Sequence, residues 1–438
     1  MNHNSWDYDV AIVGGGPAGS AAATALARAG KSVLVLERDR FPRFHVGESL
    51  LPMSNKLFRE LGLESVIEEG DYQEKHGASF ISECGRQRYR IDFSFSDEVE
   101  HPVARHVTRS EFDERLLRNA ESCGATVLEG VRAAEFRSDE DGVRVQYDDV
   151  DGTRTEVKSG FLLDASGRFG FLARRMGLRI PDQELRMVAM FAHFDGVSRE
   201  SGVTAGDIRV VTRADLGWWW VIPLADDRTS VGLVFPIDND PRRKGESTQE
   251  TLLRCANESS VMREILEQAK CVGEAHVEAD FSYGTRAYGG ERFLLLGDAG
   301  SFLDPVFSTG VELALQSGLE GAREVIGALD EQRSLSGRRL RRFEKLQRRR
   351  YAFYRRFVTH FYKPFFRDML YGAADWPRIT RAMVTALAGY DRPRLRTRLL
   401  LWWVFFTVGL RARQSRESAQ ALAVTADRVV DPVPDGTH

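Results

Sequence analysis

The chain has 438 residues, is 42% hydrophobic and carries a formal net charge of −3. Such a length buries a large core and favours two or three domains, and the near-neutral balance excludes a globally basic surface for nucleic acid. The four cysteines, Cys84, Cys123, Cys255 and Cys271, form no CxxC pair and no metal-ligand spacing, so they read as reduced thiols or core filler. The longest apolar run, LLLWWVFFTVGL at 399–410, is too short to span a bilayer and reads as a buried C-terminal helix. The opening MNHNSWDYDV has neither a basic n-region nor a cleavage site, which predicts a cytoplasmic protein.

Residues 9–39, DVAIVGGGPAGSAAATALARAGKSVLVLERD, read as strand, glycine turn, helix, strand. Val10, Ile12 and Val13 make the short apolar run of a buried strand, and Ala21 to Ala29 suit a helix packed closely on a sheet. Gly14, Gly16 and Gly19 then form GxGxxG in its required context, with Glu37 about twenty residues on. The glycines permit a tight turn and close backbone approach, the helix N-terminus favours a pyrophosphate, and Glu37 can bind ribose hydroxyls. This unit predicts dinucleotide binding.

Next comes FHVGESLLP (44–52), where Glu48 is either a buried acid near a substrate or a residue capping a helix start. YQEKHGASFIS (72–82) sets Lys75 two residues before a glycine and a strand; a lysine is costly to bury without function, and its usual place is the solvated surface. In RSEFDERLL (109–117) Arg109 opens an amphipathic helix, and FLLDASGRFG (161–170) is an apolar strand ending in Asp164. Strand-like stretches at 144–149, 186–196 and 207–235 alternate and are separated by turn residues, which predicts an antiparallel sheet. Within the last, WWWVIP (218–223) sends Trp218, Trp220 and Ile222 to one face and Trp219 and Val221 to the other. RFLLLGDAGSFLDPVFSTGVELAL (292–315) is a strand, the pair Gly297-Asp298, a loop and a helix. The tail from about 320 reads as helical. Its arginines, Arg338, Arg339, Arg341, Arg342, Arg348, Arg349 and Arg350, form either the wet face of a long helix or a dock for an acidic partner.

Three nucleotide-site pieces in this order resemble the FAD-binding fold of aromatic hydroxylases and their relatives. The resemblance implies an α/β fold: a Rossmann-like FAD-binding domain (1–180 and 280–325) interleaved with an antiparallel-sheet substrate domain (181–279, with part of that sheet within 75–105), then a mainly helical C-terminal region (326–438). It assigns FAD contacts to Gly14, Gly16, Gly19, Glu37, Arg109, Asp164, Gly297 and Asp298. Four segments further resemble the flavin-dependent halogenases. These are the GES element with Glu48, the stretch around Lys75, the W-x-W-x-I-P of Trp218, Trp220, Ile222 and Pro223, and the F-x-x-P-x-x-S-x-G of 302–310. The resemblance implies that Thr309 and Gly310 hold chloride or bromide, with Pro305 and Ser308 beside the flavin. It further implies that chloride attacks a flavin C4a-hydroperoxide and that Lys75 receives the resulting HOCl. By the same resemblance the tryptophans would line the flavin and hinder hydroxylation, and Glu48 would assist with charge or proton transfer. Tryptophan halogenases carry a glutamate where this chain has Phe307, so the expected substrate is an electron-rich phenol or pyrrole, free or on an acyl or peptidyl carrier protein. A separate NAD(P)H-dependent flavin reductase is the implied source of FADH2. The nearby readings are an FAD-dependent aromatic monooxygenase, an alkene reductase of the geranylgeranyl type, and a flavin-binding partner without turnover.

Overall fold

Two seven-stranded sheets organise the chain in the computed structural model, which describes residues 6–279, 282–335, 337–372 and 376–427. In the first sheet, Tyr8–Val13 lies between Val33–Glu37 and Arg154–Asp164, all parallel, and Thr126–Glu129 extends the parallel edge. The central strands are apolar runs buried on both faces, as parallel strands require. Helices Pro17–Arg28 and Gly310–Asp330 pack against each other beside this sheet.

On its edge away from Tyr8–Val13, strand Arg154–Asp164 serves two further partners. Residues 154–159 pair antiparallel with Gly142–Asp148, and 162–164 pair parallel with Phe293–Leu295. The stretch 144–149, expected in the antiparallel substrate sheet, therefore belongs to the first sheet. Its apolar face decides this: Val143, Val145 and Tyr147 bury against Val131, Val157 and Leu172.

The second sheet runs in the order Lys270–Ala279, Met187–Asp195, Thr229–Pro236, Trp218–Pro223, Ile208–Thr212, Gly77–Ile81, Arg88–Asp92. All neighbours are antiparallel except Ile208–Thr212 with Gly77–Ile81. The tryptophan strand splits by face as its alternation requires. Trp218, Trp220 and Ile222 join one core cluster, and Trp219 and Val221 join another beneath helix Thr248–Glu258. Trp220 lies opposite Gly232, where a Cβ would sit 2.2 Å from the indole.

Helices Arg338–Phe361, Pro364–Tyr371, Pro377–Leu387 and Leu395–Asp427 cover the Trp218 face. Many arginines of the first of these clamp it to the body. Arg350 pairs with Glu320 and Asp391, Arg342 with Glu324, Arg339 with Glu324 and Glu331, and Arg355 with Asp182. The 399–410 run is helical but only half buried, because Trp402, Trp403 and Phe406 face solvent. No helix among the described residues is long and apolar enough to cross a membrane.

Candidate active site

A cavity of about 590 Å³ is lined at one end by the glycine turn and at the other by the tryptophan strand. At the first end, Gly14 has φ +101° and a Cβ there would lie 2.4 Å from the Ala165 carbonyl oxygen. Gly19 sits beneath it, where a Cβ would come within 1.9 Å of the Gly14 carbonyl oxygen. Gly16 precedes helix Pro17–Arg28, whose first turn has no side-chain cap, so its amides remain available to an anion. The carboxylate of buried Glu37 accepts from Gly15 N at 2.6 Å and Asp39 N at 2.9 Å. Replacing Gly19 by alanine is expected to weaken FAD retention by at least about tenfold, since backbone rather than a flexible side chain must yield. Flavin absorbance co-eluting with the purified variant checks this.

Along the wall, Arg109 holds Asp113 in a two-pronged pair, 2.8 Å on each prong, and donates to the Val46 carbonyl at 2.7 Å. Asp298 is pushed up to about 6 by burial, against the opposing charges of Arg168, Arg109 and Arg179. Arg168 also lines the cavity, and its buried Nε has no hydrogen-bond partner. An orphaned guanidinium donor, uncapped helix amides and a glycine floor together fit the diphosphate of FAD.

Not every expected contact reaches this wall. Asp164 is turned inward, accepting from Ser166 N and Oγ and from Leu172 N, while its neighbours Ala165, Ser166 and Gly167 line the cavity. Gly297 donates its N–H to Ser317 Oγ at 2.7 Å and leaves the wall to Asp298. Gly19, Pro223, Thr309 and Lys75 also stand behind the lining rather than in it.

At the other end, Trp218, Trp220, Ile222, Glu48, Ser49, Pro305, Ser308 and Gly310 meet. Ser308 adopts φ +57°, an unusual conformation for a non-glycine residue, at the end of the turn Pro305–Phe307. Helix Gly310–Asp330 follows at once and lacks a side-chain cap, which leaves amides for a small anion. Glu48 is buried and shares a 2.5 Å contact with His193 Nε2, a partner no local motif reveals.

Lys75 lies one residue behind the wall. Its Nζ donates to Ser49 Oγ at 2.9 Å and to the Leu50 carbonyl at 3.1 Å. At 1% exposure, burial lowers its pKa from 10.5 to about 7, with buried Asp207 pulling the other way. His106, on the strand beside it, is held well below its ordinary value by burial and by the Lys75 charge. On the tryptophan side, Trp218 Nε1 donates to Tyr362 Oη at 2.9 Å, and Tyr362 donates to Asp304 Oδ2 at 2.5 Å. Burial pushes the cavity-lining Asp304 up to about 6. Sequence reading passed over Asp304 and Tyr362, although Asp304 stands within the quoted FLDPVFSTG.

The FAD binding domain family matches residues 7–345. The flavin-dependent halogenase armH1 of Armillaria mellea is 35% identical over 342 residues, covering 73% of this chain and 65% of that protein. The 1H-pyrrole-2-carbonyl-(peptidyl-carrier protein) chlorinase of Pseudomonas fluorescens is 34% identical, covering 74% and 76%. Among solved structures, a flavoprotein/dehydrogenase of Cytophaga hutchinsonii superposes with TM-score 0.85 at 25% identity, covering 92% of this chain and 99% of that one. CmlS, a flavin-dependent halogenase, superposes with TM-score 0.77 at 30% identity, covering 90% and 76%. With its FAD-binding domain, Rossmann-like fold and these relatives, the chain belongs to the flavin-dependent halogenases.

Proposed function

We propose that this protein uses FADH2 and O2 to chlorinate an electron-rich aromatic, a phenol or a pyrrole, presented free or on a carrier protein. The observation that carries this reading is the buried Lys75 amine, 2.9 Å from a serine on the cavity wall. Bound at the glycine end, reduced FAD would supply the electrons that convert O2 and chloride into hypochlorous acid, and a separate NAD(P)H-dependent reductase would provide it.

The chain's own residues then confine and aim that reagent. The amides of Thr309 and Gly310 hold the halide. Trp218, Trp220 and Ile222 fill the space beside the cofactor, so an organic ring cannot approach for oxygen transfer. Hypochlorous acid passes Ser49 to Lys75. With a pKa of about 7, a large share of Lys75 is neutral at physiological pH, and its lone pair attacks chlorine. The N–Cl bond forms, the O–Cl bond breaks, and hydroxide leaves with an amine proton as water. Glu48, paired with His193, assists with charge or proton transfer. Phe307 packs against Phe357 and Phe361, so no carboxylate at that position helps deprotonate an unactivated ring. A phenol or pyrrole, already electron-rich, needs none.

The test supplies the full-length protein with enzymatically reduced FAD, air, chloride or bromide, and a panel of phenols and pyrrole-2-carbonyl thioesters. Mass spectrometry is expected to find a halogenated ring only when flavin, oxygen and halide are all present. A hydroxylated product that forms equally well without halide would establish a monooxygenase instead.

A further inference from the structure

Over residues 395–411 the C-terminal helix Leu395–Asp427 is apolar on two sides. One side packs inward through Leu401, Val404, Phe405 and Val408. The opposite side leaves Leu395, Leu399, Trp402, Phe406 and Leu410 exposed. Steps of four, three, four and four residues place these five on a single stripe of a helix. Trp402 is 57% exposed, and its ring stacks on Phe406 at 5.3 Å. Beside them Trp403 stacks on Trp376, itself exposed. A contiguous apolar patch of this kind marks a contact surface.

Charge selects the occupant. From Trp376 through Arg411 inclusive the sequence carries seven arginines and one acid, Asp391. That acid is buried and held by Arg350 at 3.1 Å, and Asp97 and Glu98 from an earlier segment engage Arg394 and Thr397 at the start of the helix. Among the described residues, the exposed Arg378, Arg392, Arg396 and Arg398 make no ion pair. Two copies laid stripe to stripe in parallel would bring Arg392, Arg396 and Arg398 against the same residues of the other copy, which opposes that pairing. The complement is a surface both acidic and apolar.

Position narrows it further. Phe405, on the inner side of this helix, meets Phe357 at 4.8 Å, and Phe357 meets Phe307 at 6.0 Å between ring centroids. Phe357 belongs to helix Arg338–Phe361, so the stripe is the outer face of a helix that packs on the helix covering the aromatic end of the site. We infer that this face docks the acidic carrier domain that presents the aromatic acyl group, an inference resting on the carrier-bound form of the function proposed above.

The experiment uses the full-length protein and a phosphopantetheinylated peptidyl-carrier domain of acidic surface, with and without a pyrrole-2-carbonyl group. Two variants are compared with wild type: Arg392→Glu with Arg396→Glu and Arg398→Glu, and Trp402→Ser with Phe406→Ser. Each is expected to weaken binding of the unloaded carrier by at least about tenfold, and the first to flatten its salt dependence. Turnover of the same acyl group on a small thioester is expected to stay unchanged, since none of these residues touches the cavity. Undetectable carrier binding by wild type, or unchanged binding by both variants, overturns the proposal. A dimer that Trp402→Ser with Phe406→Ser converts to monomer would assign the stripe to a second copy. Variants that lose only their binding to phosphatidylglycerol vesicles would assign it to a membrane surface. If the carrier binds through these residues yet neither thioester is halogenated, the substrate reading fails and the docking surface stands.

Discussion

Replacing Lys75 with methionine is expected to abolish halogenation while leaving FAD bound and the protein at least as stable at pH 6. The functional half follows from position: Lys75 is the buried amine beside Ser49, and methionine has no lone pair that forms a comparable N–Cl bond. The stability half follows from linkage. Burial lowers the folded-state pKa from 10.5 to about 7. Below about pH 7 both states carry the proton, and the native state bears the whole cost of a buried charge. Between about 7 and 10.5 the unfolded chain binds a proton that the native state has released, so stability rises with pH. The cost at low pH is on the order of 5 kcal/mol, against about 1 kcal/mol for each of the two hydrogen bonds lost. Thermal unfolding at pH 6 and pH 9 checks the sign: the advantage of Lys75→Met is expected to shrink as pH rises. Halogenation by wild type is expected to climb through pH 7 as the amine loses its proton. A variant markedly less stable at both pH values would show that Lys75 is structural.

Trp218→Ala is expected to destabilise the fold by about 3–5 kcal/mol, the range for deleting a buried large aromatic. Trp218 is 1% exposed and packs between Trp220 and Phe361 at 5.9 and 6.2 Å. It also anchors the Tyr362–Asp304 chain, which ties the tail to the turn Pro305–Phe307. Tyr362→Phe is expected to cost less, about 1–3 kcal/mol, by stranding the indole N–H and one Asp304 oxygen. The two changes share one network, so their effects are expected to fall short of additivity. Chemical denaturation of both singles and the double Trp218→Ala, Tyr362→Phe measures the coupling. Oxygen consumption adds a functional readout: Trp218→Ala is expected to use O2 without a matching yield of halogenated ring.

Much of the fold was legible because its signals are local. The glycine turn, the apolar strand before it and Glu37 at the end of the next strand lie within thirty residues, and periodicity reads such units directly. The alternation of Trp218, Trp219 and Trp220 separated two core clusters before any pairing was known. What stayed hidden depends on distant segments. Tyr362 meets Trp218 across 144 residues and Glu48 meets His193 across 145, with nothing in either local pattern to announce the partner. Asp164 stands at a strand end as expected, but the turn after it consumes its carboxylate. The apolar 399–410 run could not show its two faces, because an all-apolar helix has no polar side to mark the exposed one.

The most direct test of the central claim needs no organic substrate. Full-length protein with reduced FAD, air and chloride is quenched rapidly, and its peptides are mapped by mass spectrometry. The expected result is one oxidised chlorine on the peptide carrying Lys75, dependent on all three reagents and absent from Lys75→Met. Hypochlorous acid trapped in bulk solution with Lys75 untouched would contradict the lysine's assigned role. No oxidised chlorine anywhere, from a protein that binds and reoxidises the flavin, would contradict the proposed activity itself.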